Sequence, residues 1–168
     1  MKSVNIVRII QILRDETKKF QLPSVSEISR RWHKPFHVLI SCILSLRTKD
    51  KTTREASQRL FKLAGNPRDM LQFSARQIEK AIFPVGFYRV KSRNILSICK
   101  DIILKFKGKV PDNLEELLSL RGVGRKTANL VLTEGFNKLG ICVDTHVHRI
   151  SNRLGFIQTK TPFDTEMI

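Results

Sequence analysis

Three observations predict an all-α fold for this chain. Apolar residues recur at helical spacing along most of its length, side chains suited to capping helix starts stand just before those runs, and no alternating apolar/polar stretch is long enough for a convincing strand. No internal repeat or low-complexity tract interrupts the pattern. With 168 residues the chain suits one mid-sized domain or two small helical lobes, and its 41% hydrophobic content excludes a disordered tail.

The first helix is predicted over residues 4–20, where Val4, Val7, Ile10 and Leu13, with Ile6 and Ile9, share one broad face. Ser24-x-x-Glu27 reads as a capping box opening a second. Pro35 then opens PFHVLISCILSL, in which Phe36, Leu39, Ile40, Ile43 and Leu44 are hydrophobic nearly all round, marking a central helix with Trp32 packed between it and the helix before. Thr48 or Asp50 caps a helix to about Ala64, and Asn66-Pro67 pairs an N-cap with a first-turn proline. Ser74-x-x-Gln77 is another capping box, whose short helix Gly86 ends. From about Arg89 to Phe106 a longer helix presents Ile95, Ile98, Cys99, Ile102, Ile103 and Phe106 and stops at Gly108. Asp112-x-x-Glu115 starts a short helix, GVGRKTANLVLTEGF begins another after two glycines, and a last clear helix follows Asp144-Thr145.

Charge narrows the function. There are 31 Lys and Arg against 15 Asp and Glu, a net charge of +16, and the pI is near 10.4. Such a surplus points to DNA or RNA, because each cation that neutralises a phosphate releases a condensed counterion. An anionic membrane surface fits less well, since the basic residues are spread instead of gathered into one stripe. The densest stretch, RVKSRNILSICKDIILKFKGK, is read mostly as a solvated helix face. No run of about 18 apolar residues occurs and the N-terminus lacks a small-residue cleavage site, so the expectation is a soluble intracellular protein, cytoplasmic and nucleoid-associated. Cys42, Cys99 and Cys142 lie far apart in apolar segments and are read as small buried hydrophobes. His146 and His148 lie two apart on different helix faces with no third ligand, so no metal site is expected.

The most informative segment is Leu120-Arg121-Gly122-Val123-Gly124-Arg125-Lys126-Thr127-Ala128. Two glycines one residue apart permit positive φ and leave no Cβ between backbone and ligand, so amides at a helix start can face a phosphate oxygen. The helix–turn–helix around it, about residues 113–136, suits a helix–hairpin–helix that grips phosphate without reading bases. A tight turn with ordinary glycine caps remains the alternative on the glycines alone.

LRGVGRKTANLVL followed by VDTHVHRISNRLG resembles the endonuclease III branch of the helix–hairpin–helix DNA glycosylase superfamily. LISCILSLRTKD is similar to the family's DNA-facing loop, and VGFYRVKSRNI to its glycine–tyrosine–lysine turn; the likeness runs from about residue 20 to 155. The resemblance implies a lysine nucleophile at Lys126 and an essential acid at Asp144. It implies DNA contacts by Arg47, Thr48, Lys49, Tyr88, Lys91 and His146, and by the hairpin residues Arg121, Gly122, Val123, Gly124, Arg125 and Thr127. Arg93 shares the loop-to-helix junction with Tyr88 and Lys91, and Tyr88 alternatively packs at the interface of the lobes. Two departures stand out: Arg121 replaces the usual proline, and Arg47 stands where a glutamine often fills the gap left by an extruded base. Family members usually continue through a four-cysteine loop holding an iron–sulfur cluster. Here the chain stops at Ile168, so it is read as a shortened member and no cluster is assigned.

The implied chemistry is excision of oxidised pyrimidines from double-stranded DNA through a Schiff base, then β-elimination. An amine attacks only when unprotonated, and an ordinary lysine, with pKa about 10.4, is in that form in roughly one molecule per thousand at pH 7. Arg125, the positive end of a helix and a partly desolvating cleft all favour the neutral amine. Asp144 would stabilise charge on the sugar or help move the proton, and would also serve as an N-cap. The expected architecture is two helical lobes with the DNA cleft between them: a six-helix barrel over 23–137, and an incomplete second lobe from 1–22 plus 138–168, in a monomer. The rival readings are a non-catalytic DNA-binding relative and a mismatch or oxidised-purine glycosylase; Lys126 argues against the mismatch branch.

Overall fold

A computed structural model describes residues 5–168, and every regular element in them is a helix. The chain divides into two compact units, one spanning Pro23–Gly140 and the other joining the N-terminal segment up to Leu22 with Ile141–Ile168.

The larger unit holds α2 (Ser24–Trp32), α3 (Pro35–Ser45), α4 (Asp50–Leu63), α5 (Pro67–Met70), α6 (Ala75–Ile82), α7 (Tyr88–Lys105), α8 (Leu114–Ser119) and α9 (Arg125–Phe136). Its centre is α3, where every residue from Phe36 to Leu44 is buried, as all-round hydrophobicity requires. Helices α2, α4, α7 and α9 pack around it. Gly135 lets α9 approach closely, since a Cβ there would stand 3.3 Å from the Pro35 Cα. Trp32 stacks on His37 of α3 and meets Phe61 of α4 edge-on, the packing role expected of it. Burial and then the nearby Lys34 charge push the His37 pKa down to about 4, and its Nδ1 has no hydrogen-bond partner.

Several caps differ from the sequence reading. Helix α2 begins at Ser24 itself, with no side-chain cap at Pro23. The Ser24 hydroxyl donates to Asp50 Oδ1 at 3.1 Å, while Glu27 pairs with Arg54. Asp50 therefore serves the start of α2 from the first turn of α4, whose N-cap is Lys49. Helix α8 is capped by Asn113, which accepts from the Glu116 amide at 2.9 Å, and Asp112 instead pairs with Lys138. That pairing lowers the Asp112 pKa, and with the Lys138 N–H donating to Leu132 O it keeps residues up to Gly140 with the larger unit. Helix α6 ends at Ile82, and Gly86 belongs to the following turn. Asn66 and Ser74 cap as expected, Ser74 with a full capping box.

In the second unit α1 (Ile6–Thr17) is capped by Asn5, and Val4 of the expected helix lies outside the described residues. It is joined by α10 (Thr145–Arg153) and α11 (Pro162–Met167). A polar network ties α10 to α11: His148 Nδ1 lies 2.7 Å from Thr165 Oγ1, and the Thr159 amide donates to Asn152 Oδ1 at 2.8 Å. None of the three helices has a buried residue. No helix among the described residues is long and apolar enough to cross a membrane.

Candidate active site

The glycine hairpin connects α8 to α9. Gly122 has φ +80°, a conformation that favours glycine, and a Cβ on it would lie 2.8 Å from Asn94 Nδ2, so that side chain would have to shift. Gly124 caps α9 with extended backbone, and a Cβ on it would meet nothing within 4 Å. The hairpin thus packs against α7 at one glycine and opens at the other. Leu120 and Val123 anchor it in the core.

The expected contact residues of the hairpin separate accordingly. Arg121, Gly122, Gly124 and Lys126 are exposed and Arg125 is half-buried. Val123 and Thr127 are not presented: their side chains are buried, and the Val123 N–H donates to Leu120 O at 3.1 Å, closing the turn. Lys126 is the second residue of α9, in the turn where amides lack intrahelical acceptors.

A second pair of segments lies along the same unit. Arg47, between α3 and α4, has φ 52°, and Phe87, just before α7, has φ 58°. The Arg47 guanidinium sits 5.9 Å from the centre of the Phe87 ring, and Phe87 is 61% exposed. Lys49 is exposed. Thr48 and Lys91, expected at the DNA, are turned inward. Lys91 is buried and its ammonium donates to Leu44 O, Leu46 O and Thr48 Oγ1; burial draws its pKa down to about 8. The Thr48 hydroxyl also accepts from the Gly86 amide at 3.2 Å. Tyr88 is half-buried, edge-on to Phe83 with Arg89 over its ring.

Sequence reasoning missed Phe87 and Asn94. Phe87 follows the glycine of a tight turn, a signal the sequence carried, whereas the contact of Asn94 with Gly122 spans distant positions and leaves no local trace. Asn94 lies seven residues after Phe87, about 10 Å along α7, so one helix supports both the hairpin and the Arg47–Phe87 tip.

Asp144 is the N-cap of α10 in the other unit, its Oδ1 accepting from the His146 and Val147 amides at 3.0 and 2.9 Å. Such charge-assisted bonds hold a carboxylate in place at a helix start. His146 is exposed, with Nδ1 3.3 Å from Arg149 Nη2. The cysteines do not fit an iron–sulfur cluster: Cys42 and Cys99 are buried in the larger unit and Cys142 is half-buried in the other. Burial pushes the Cys99 thiol up to about 12. Among the described residues no group of three His, Cys, Asp or Glu could hold a metal ion. A cavity of about 690 Å³ lined by Phe36, Phe106, Val110 and Phe136 adjoins the C-terminal end of α9, the end opposite Lys126.

Comparison with known proteins gives the family. Residues 40–168 match the model of the HhH-GPD superfamily base excision DNA repair proteins. Endonuclease III of Thermotoga maritima is 50% identical over 132 residues, covering 79% of this chain and 62% of that protein. The chain thus spans about three-fifths of the length of the curated relatives it matches. Two solved structures, a non-covalent endonuclease III–DNA complex and a trapped endonuclease III–DNA covalent intermediate, superpose with TM-scores of 0.80 and 0.79 at 34% identity. Each covers 98% of this chain, which covers 76% of each. An open glycine hairpin, the lysine that follows it and an aspartate capping the next helix therefore stand in a chain that belongs to the endonuclease III family of the HhH-GPD superfamily.

Proposed function

We propose that this chain carries out endonuclease III chemistry: it removes oxidised pyrimidines from double-stranded DNA and cuts the strand at the abasic site. The observation that carries this reading is Lys126, an exposed amine on the first turn of α9 immediately beyond a hairpin with one open glycine. A phosphate held at Gly124 and the start of α9 brings the sugar chain to that amine, because helix N-termini offer both amide donors and positive potential. Lys126 is exposed without DNA, so bound nucleic acid must exclude the water around it.

In this reading the neutral Nζ attacks C1′, the C1′–N bond breaks, and the base leaves with the electron pair and is protonated. The C1′–O4′ ring bond then opens, O4′ taking up the proton that Nζ gave up, and leaves an iminium at C1′, which acidifies the C2′ proton; its removal expels the 3′ phosphate and cleaves the strand. Asp144 is assigned to stabilising the cationic sugar and accepting the lysine proton, with its charge fixed by the two α10 amides. Arg47, Lys49, Arg121 and Arg125 are assigned to phosphate and gap contacts. The superposition on a covalent endonuclease III–DNA intermediate supports the same assignment.

Borohydride tests it. Reduction on an abasic duplex should trap wild-type protein covalently, and Lys126→Ala should abolish trapping while salt-sensitive DNA affinity stays largely intact. Strand cleavage retained by Lys126→Ala would move the nucleophile elsewhere. A wild type that binds duplex but forms no adduct would instead be a non-catalytic DNA-binding protein.

A further inference from the structure

Lys91 carries a positive charge that none of the proposed DNA contacts uses. Only 5% exposed in the first turn of α7, it directs Nζ at Leu44 O (2.8 Å), Leu46 O (2.5 Å) and Thr48 Oγ1 (3.1 Å). Leu44 belongs to the last turn of α3, where carbonyls lack intrahelical donors and the negative end of the helix dipole gathers. An ammonium has three protons, and here each has an acceptor inside the protein. It therefore has none to offer a phosphate.

What it does hold is a strained backbone. Arg47 and Phe87 both lie in the left-handed region, which is unfavourable for a non-glycine residue and persists only where its surroundings compel it. The surroundings are specific: a Cβ on Gly86 would stand 2.6 Å from Arg47 O, and the Thr48 hydroxyl receives both the Gly86 amide and the Lys91 ammonium. Residues 44–48 and 86–91 are thereby locked together, with the Arg47 guanidinium over the exposed Phe87 ring at the outer end.

We infer that Lys91 is a positioning residue: its buried ammonium ties the end of α3 to the start of α7 and so presents Arg47 and Phe87 to the duplex as one rigid tip, without touching DNA itself. This rests on the glycosylase reading above. The lysine that a sequence reading assigns to phosphate instead sets the shape of the segment that meets the lesion.

The test compares wild type, Lys91→Met, Arg47→Ala and the double variant in single-turnover base release from a duplex bearing thymine glycol. Lys91→Met should slow release about tenfold or more, as misplaced contacts do, while affinity for undamaged duplex and its salt slope stay within about twofold. In the double variant the losses should not multiply, because both substitutions disable the same tip. Multiplying losses, or a salt slope reduced by about one counterion in Lys91→Met, would overturn the proposal. Should Lys91→Met fail to fold, acetylation of wild-type protein by a reactive ester decides: Lys91 should resist modification with and without duplex, while Lys49 is modified and then shielded by DNA. Lys91 modified in the free protein and shielded by duplex would overturn it. A wild type that forms no borohydride adduct rejects the glycosylase reading alone, and the salt slope and acetylation pattern still judge Lys91.

Discussion

Helices α1 and α3 carry similar amounts of aliphatic side chain and meet opposite fates. In α3 nine consecutive residues are buried, whereas in α1 Val7, Ile10, Ile12 and Leu13 are 62, 48, 53 and 54% exposed. The difference follows from charge: Pro35–Ser45 contains no Lys, Arg, Asp or Glu, while Ile6–Thr17 alternates its aliphatics with Arg8, Arg14, Asp15 and Glu16. A helical period announces a helix, and only the absence of a polar face announces a centre. Cooperative stability therefore resides in Pro23–Gly140, and the second unit is held largely by caps and the His148–Thr165 network.

The largest expected contrast is between truncations in these two helices. Leu39→Ala, at a fully buried site, should cost about 2–5 kcal/mol, and Ile10→Ala less than about 1 kcal/mol, read as shifts in the urea midpoint. Equal losses would mean that α1 is covered in solution, and the contrast would fail.

A somewhat smaller effect is expected from pH. The folded-state pKa of His37, about 4, lies below the ordinary 6.5, so the unfolded chain binds a proton that the folded chain refuses between those values. Stability should be complete above pH 6.5 and fall as pH drops toward 4, by about 2–3 kcal/mol. Replacing the ring with an apolar one, His37→Phe, should flatten that acid limb of the larger unit's melting curve; an unchanged slope would place the titrating group elsewhere.

The smallest effect belongs to the second unit. Asp144→Ala removes an N-cap worth about 1 kcal/mol, and hydrogen exchange should quicken across α10 while the global melt barely moves. A large drop in melting temperature would show that the second unit shares the cooperativity of the first.

How much of this was legible in the sequence depended on contact distance along the chain. The buried identity of α3, the Asn66 and Ser74 caps, the Gly122–Gly124 turn and the Asp144 cap were all readable, because each is settled by residues within a turn or two. What was not legible has the opposite cause. Asp50 serves Ser24, Asp112 serves Lys138, and Lys91 reaches Leu44, pairings separated by 26, 26 and 47 positions. A lysine in a basic stretch looks solvated until the fold shows which carbonyls surround it. The inward side chains of Val123 and Thr127 have a related reason: a hairpin that opens at Gly124 must turn neighbouring side chains inward to stay attached.

The hydrogen bonds from the amide and hydroxyl of Ser24 to Asp50 form a non-covalent clasp across the base of the α2–α3 pair. Only residues 46–49 separate the end of α3 from the start of α4, where that clasp fastens. So short a span cannot swing as a flap without unfastening one helix or the other. The adaptability of Arg47 is consequently confined to the torsions of its own side chain.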